Sequence, residues 1–240
     1  MSFAVKEIEN ILKRFKIKKI DEGLLSEALT HPSFNFERNI ENAPDYERLE
    51  FLGDSVLRLA LSQYLFDKYP DYNEGKLTKI RSCLVSDECL AKIAEEIQLG
   101  SCIQMGMHEE KDGGRKKESI LACALEAFFG AIYKDLGYEI AREVICNLYS
   151  SFSIDTDNIL FSYNPKEVLQ QYTQSLNKDL PVYKIINEIG PAHKKTYEIA
   201  VLYQDKEIGR GQAKTKKEAE KMAALDAINA LNIKKDDKNE

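Results

Sequence analysis

The chain has 240 residues, of which 43% are hydrophobic and 31% charged, with a formal net charge of −6. That is long enough for two modest domains, each with its own core. No apolar run approaches the ~20 residues a membrane span needs, and the amphipathic opening MSFAVKEIENILKRF lacks the apolar core and cleavage site of a signal peptide.

Five cysteines (Cys83, Cys89, Cys102, Cys123 and Cys146) are odd in number and form no CxxC pair. This argues against a disulfide frame and for a reducing, cytoplasmic setting. The charge is uneven. Residues 1–162 hold 20 Lys/Arg against 28 Asp/Glu, while residues 163–233 hold 11 against 9. The acidic part suits metal cations and the slightly basic part suits phosphates.

Up to about Asn147 the apolar spacing is helical. It predicts helices near Val5–Phe15 and Gly23–Leu29, then over Asp45–Tyr69, Ser86–Gln98 and Lys117–Leu136. No segment alternates as a strand does, so residues 1–150 are expected to form an all-α domain. Gly113 and Gly114 mark a polar loop before the last of these helices. Residues 151–164, mixing Ser, Asp and Asn, read as a linker. Pro165 then suits the first turn of a helix through KEVLQQYTQSL. The segments PVYKIINEI, KTYEIAVLYQ and KEIGRGQA read as three strands. Thr215 and Glu218 form a capping box opening a helix to Leu231. Residues 165–233 are thus expected to be a small α+β domain of order α-β-β-β-α, and the tail 234–240 to be disordered.

The helix containing DYERLEFLGDSVLRLALSQYLF is apolar over most of its circumference. Glu47, Glu50 and Asp54 fall at i, i+3 and i+7, on the narrow remaining stripe. Desolvating unpaired like charges costs several kcal/mol, and Arg48 points elsewhere by helix spacing. A divalent cation is then the economical partner, and oxygen ligands suit Mg²⁺ or Mn²⁺. Glu126 is the sole acid between Ile120 and Tyr133. If the two helices pack, it joins Glu50 and Asp54, and Gly53 supports a close approach. A solvated acidic face with Lys or Arg partners is the competing reading. Spacing alone identifies no reaction.

The string Glu47-Arg48-Leu49-Glu50-Phe51-Leu52-Gly53-Asp54-Ser55 resembles the signature of ribonuclease III. Leu29-Thr30-His31-Pro32-Ser33-Phe34, Asn73-Glu74-Gly75, and Gly113-Gly114 followed by Glu118-Ser119-Ile120-Leu121-Ala122 match the same family in order. The resemblance implies a double-stranded-RNA endonuclease that processes ribosomal and messenger precursors. It would work by metal-activated hydrolysis, leaving 5′-phosphate and 3′-hydroxyl ends. Glu50, Asp54 and Glu126 match family metal-binding and catalytic acids, and Glu47 and Glu74 match acids lining the catalytic valley. Family members are homodimers, and Phe51 matches the aromatic that enters the partner subunit; a core role for Phe51 is the alternative. His31 carries over no catalytic role and reads as structural. One position departs from the pattern. Cys123 stands where the family places an aspartate ligand, and a soft, protonated thiol poorly replaces an oxygen on Mg²⁺.

Residues 165–232 resemble the double-stranded-RNA-binding domain. Lys214, Lys216 and Lys217 crowd the N-terminus of its capped last helix, where free amides and the helix dipole also favour phosphate. Gln170 and Gln171 match groups that reach one minor groove, and His193 matches the loop that enters a second. Recognition there would rest on 2′-hydroxyls and duplex shape. Cys123 keeps open a protein that binds duplex RNA while cutting it weakly or not at all. The RNA-reading module argues against a DNA nuclease.

Overall fold

The computed structural model describes residues 3–151, 165–177, 179–191 and 195–233. The chain divides into two compact units, Met1–Ile154 and Asp155–Glu240. Among the described residues the first unit is helical: α1 (Phe3–Arg14), α2 (Glu22–Ala28), α3 (Pro32–Glu37), α4 (Glu47–Lys68), α5 (Glu74–Leu84), α6 (Asp87–Glu96), α7 (Met107–Lys111), α8 (Glu118–Leu136) and α9 (Tyr138–Ser151).

Its centre is α8, apolar almost all round and therefore mostly buried, with only Cys123 and Glu126 partly exposed between Ile120 and Ile132. Ala124, Leu125, Ala127, Phe128, Phe129, Ala131 and Ile132 have no exposed surface. It packs along α4, which contributes the fully buried Leu57, Ala60 and Leu61, with α2, α6 and α9 against its other sides. Polar side chains set the helix starts, as the orphan amides there require. Asp21 accepts from Leu24 N, Asn73 from Lys76 N and Ser86 from Cys89 N. Tyr149 on α9 reaches inward to donate to the Leu84 carbonyl at 2.7 Å, closing the end of α5.

The second unit begins with α10 (Pro165–Asn177). A three-stranded antiparallel sheet follows, in the order β1 (Val182–Ile189), β2 (Thr196–Tyr203) and β3 (Lys206–Ala213), and then α11 (Lys216–Ala230). β1 carries a bulge between Ile185 and Asn187. Ile199 and Val201 of β2 are buried, and Leu169, Val201, Ala223, Ala224, Ala227 and Ile228 form the core. The last helix lies directly on β3. A Cβ built on Gly211 would stand 2.3 Å from the Ala219 carbonyl oxygen, and one on Gly209 2.5 Å from that of Ala223. Small residues on both sides permit this approach. Ala230, in series with Ala219, Ala223 and Ala227, is exposed and takes no part.

Candidate active site

The first unit gathers its acids where α4 and α8 cross. A Cβ on Gly53 would meet the Glu126 carbonyl oxygen at 1.8 Å, and one on Gly130 would meet the Leu49 carbonyl oxygen at 2.2 Å. Backbone touches backbone there, and glycine is the residue that fits. Gly53 lies between Glu50 and Asp54 in sequence, so this contact delivers Glu126 to the polar stripe of α4. The outcome is an open cleft of about 380 Å³ lined by Glu47, Glu50, Phe51, Asp54 and Glu126.

Burial and like charge dominate the electrostatics. The Glu126 carboxyl is pushed up to about 8, first by burial, then by the charges of Asp54 and Glu50, to the first of which it is hydrogen-bonded. Burial also raises Glu50, helped by Glu47, Asp87 and Asp54 and opposed by a hydrogen bond from Cys123. The Cys123 thiol is itself pushed up to about 12 by burial and by Glu50. It is a protonated donor to Glu50 and does not line the cleft. Asp54 is engaged by Arg58, whose Nε–H is shared between the two carboxylate oxygens at 2.7 and 2.9 Å. Among the described residues no three His, Cys, Asp or Glu side chains close about one point. Even so, four carboxylates on one cleft, of which Glu50 and Glu126 are raised by burial and by their neighbours' charges, are a donor set that suits a hard divalent cation. A protonated thiol turned to Glu50 does not suit one.

Other sequence-predicted residues fall elsewhere. Glu74 sits in the first turn of α5, accepts from the Thr78 hydroxyl at 2.9 Å and does not line the cleft. Phe51 is 79% exposed, which rules out the core alternative, and Leu59 and Phe66 of the same helix are also exposed. His31 caps α3. Its Nδ1 accepts from the Ser33 amide at 3.1 Å and meets the Ser33 hydroxyl at 2.7 Å, and that hydroxyl accepts from Gly106 N. Burial lowers its pKa. In the second unit Gln170 and Gln171 lie exposed on α10, and Lys214, Lys216 and Lys217 lie exposed around the start of α11, where Thr215 accepts from Glu218 N. Lys216 stands 4.0 Å from Glu188. His193 lies outside the described residues.

The family described as Ribonuclease-III-like matches residues 21–151, and the Double-stranded RNA binding motif matches residues 165–231. Ribonuclease 3 of Desulforamulus reducens is 42% identical over 231 residues, covering 96% of this chain and 94% of its own. This chain belongs to the ribonuclease III family. Ribonuclease 3 of Borreliella afzelii is 41% identical over 225 residues, 94% of this chain and 91% of its own. The solved nuclease domain of ribonuclease III from Campylobacter jejuni, described as flexible in a region involved in dimer formation, aligns with a TM-score of 0.55 at 42% identity. The match covers 60% of this chain and 96% of that one. As a ribonuclease III, the chain is a double-stranded-RNA-specific endoribonuclease of a metal-dependent family, with a helical nuclease domain and an α-β-β-β-α RNA-binding domain.

Two residues of this ribonuclease III site escape a reading by sequence. Arg58 is one turn beyond Asp54, and an i, i+4 acid–base pair would have revealed it. The charge of Asp87, the first residue of α6, bears on Glu50, Cys123 and Glu126. Only the packing of α6 against α8 brings it there, and no local signal announces it.

Proposed function

We propose that this ribonuclease III cleaves duplex RNA with Mg²⁺, Mn²⁺ serving as a substitute, held by Glu50, Asp54 and Glu126. Glu47 stands beside the ligands on the cleft wall. The observation that carries this reading is the Gly53–Gly130 crossing, which puts acids of two helices into one cleft. A divalent cation bound there would neutralise charge developing on the phosphate and on the departing 3′ oxygen, leaving 5′-phosphate and 3′-hydroxyl ends. The protein's own part is to hold the acids together, to keep the Glu126 and Glu50 carboxyls partly desolvated and so eager for a positive partner, and to present the duplex. Cys123 supports Glu50 through its hydrogen bond, in place of the family's aspartate ligand. Glu74, away from this cleft, would meet RNA further along the catalytic valley.

Duplex RNA is held by the α11 start with Lys214, Lys216 and Lys217, by Gln170 and Gln171, and by His193. All the lysines offer charge to phosphate beside free helix amides. The exposed Phe51 supports a homodimer with one cleft per RNA strand. The domain limits we favour are 1–150 for the nuclease, 151–164 for the linker, 165–233 for the RNA-binding domain and 234–240 for the tail. Ribosomal and messenger precursors in the cytoplasm are the expected substrates.

End-labelled duplex RNA incubated with the purified chain tests the reading. Fragments should form with Mg²⁺ and not with EDTA. Glu126→Gln should lower the cleavage rate by at least ~10³-fold while leaving the gel shift intact, a loss of ~4 kcal/mol at the barrier. Cleavage by the Gln variant at the parent rate would remove Glu126 from the site.

A further inference from the structure

A cluster of acids this dense needs positive charge, and one nearby side chain supplies some of it. Arg58 lies one helical turn from Asp54 on α4, and its Nε–H is divided between both carboxylate oxygens at 2.7 and 2.9 Å. The guanidinium also feels the charge of Glu126. A cation seeking Asp54 thus finds both oxygens engaged and a like charge alongside. Protonation state offers no escape, because arginine does not lose its proton in proteins. The pair is half exposed, with 50% of the arginine side chain and 34% of the aspartate side chain accessible. Exposed pairs of this kind are weak and exchangeable. The contact therefore adds a small cost to ion entry and can yield to the ion.

We propose that Arg58 is a resident counter-cation and positioning residue, which holds Asp54 in the metal-free enzyme and must release it when the ion enters, so that it sets the ion concentration at which the cleft fills. This rests on the reading that Glu50, Asp54 and Glu126 hold the metal. Arg58 acts through Asp54 and needs no contact with RNA to do so.

Isothermal titration of Mn²⁺ alone into the full-length chain, without RNA, tests it. Arg58→Gln should tighten binding on the order of 3–5-fold, the size an exposed ion pair supports. It should also lower the melting temperature in EDTA, because the acids lose their counter-charge. Arg58→Lys keeps the charge but replaces the planar donor with a hydrated, flexible ammonium. Its affinity should fall between those of the parent and the Gln variant. A Gln variant that binds Mn²⁺ no tighter than the parent overturns the proposal. So does a Lys variant indistinguishable from the parent, since charge alone would then explain the effect. Should Arg58→Gln fail to fold, the Lys variant carries the same decision. If the parent itself binds no ion, the metal reading falls and the proposal falls with it, an outcome distinct from an unaltered affinity.

Discussion

Burial and two neighbouring carboxylates oppose a charge on Glu126, and this has a measurable sign. Its carboxyl is raised from the usual 4.5 to about 8. Below the unfolded value both states are protonated and there is no penalty. As pH rises from about 4.5 towards 8 the unfolded chain releases the proton first, and stability is lost until the folded group also ionises. In EDTA, Glu126→Gln should therefore melt higher than the parent, the gap opening above pH 4.5 and levelling off past pH 8. A gap independent of pH would show that the acids do not strain one another. Cys123 raises a related question. Asp at this position adds a further carboxylate next to Glu50, so Cys123→Asp should lower the melting temperature in EDTA and raise the cleavage rate in Mg²⁺. Equal cleavage rates would mean that position 123 does not limit the reaction.

The contact between α4 and α8 depends on two absent side chains. A methyl on Gly53 would fall 1.8 Å from a carbonyl oxygen, and neither helix backbone can yield locally. Gly53→Ala should destabilise the protein by about 3 kcal/mol, at the upper end of overpacking effects. Cleavage at a temperature where the variant is folded should fall well beyond what that loss explains, because the acids separate. Melting curves and rates measured on the same preparation decide this. Long helices were readable from sequence because α4 and α8 hold an apolar period over many turns, and the sheet was readable because Tyr197, Ile199, Val201 and Tyr203 alternate. The shorter helices were harder. α3 and α7 are too brief for a period, and α9 follows α8 after the single residue Gly137, so the end of α8 is legible in that glycine while the immediate restart at Tyr138 is not. The site was half visible. Glu47, Glu50 and Asp54 share a face by local spacing alone, and Arg58 stands at i, i+4 from Asp54, whereas the approach of Asp87 and the place of Glu74 outside the cleft lining depend on how separate helices pack.

Across the whole molecule the two units divide the labour by charge, an acidic nuclease and a mildly basic RNA reader, and the net −6 conceals that division. Association belongs to this scale too. Phe51, Leu59 and Phe66 form an exposed apolar row on α4. A buried aromatic anchor at an interface contributes about 2 kcal/mol or more, so if Phe51 anchors the proposed homodimer, Phe51→Ala should raise its dissociation constant roughly 30-fold or more, read by sedimentation velocity. An unchanged constant would place the interface elsewhere. Phe51 is also a wall of the acidic cleft, with Glu50 next to it in the chain. If a second copy covers that ring, diluting the enzyme until its subunits part bares one side of each ion pocket to water. Specific activity should then fall with enzyme concentration, and it should fall sooner for the alanine variant.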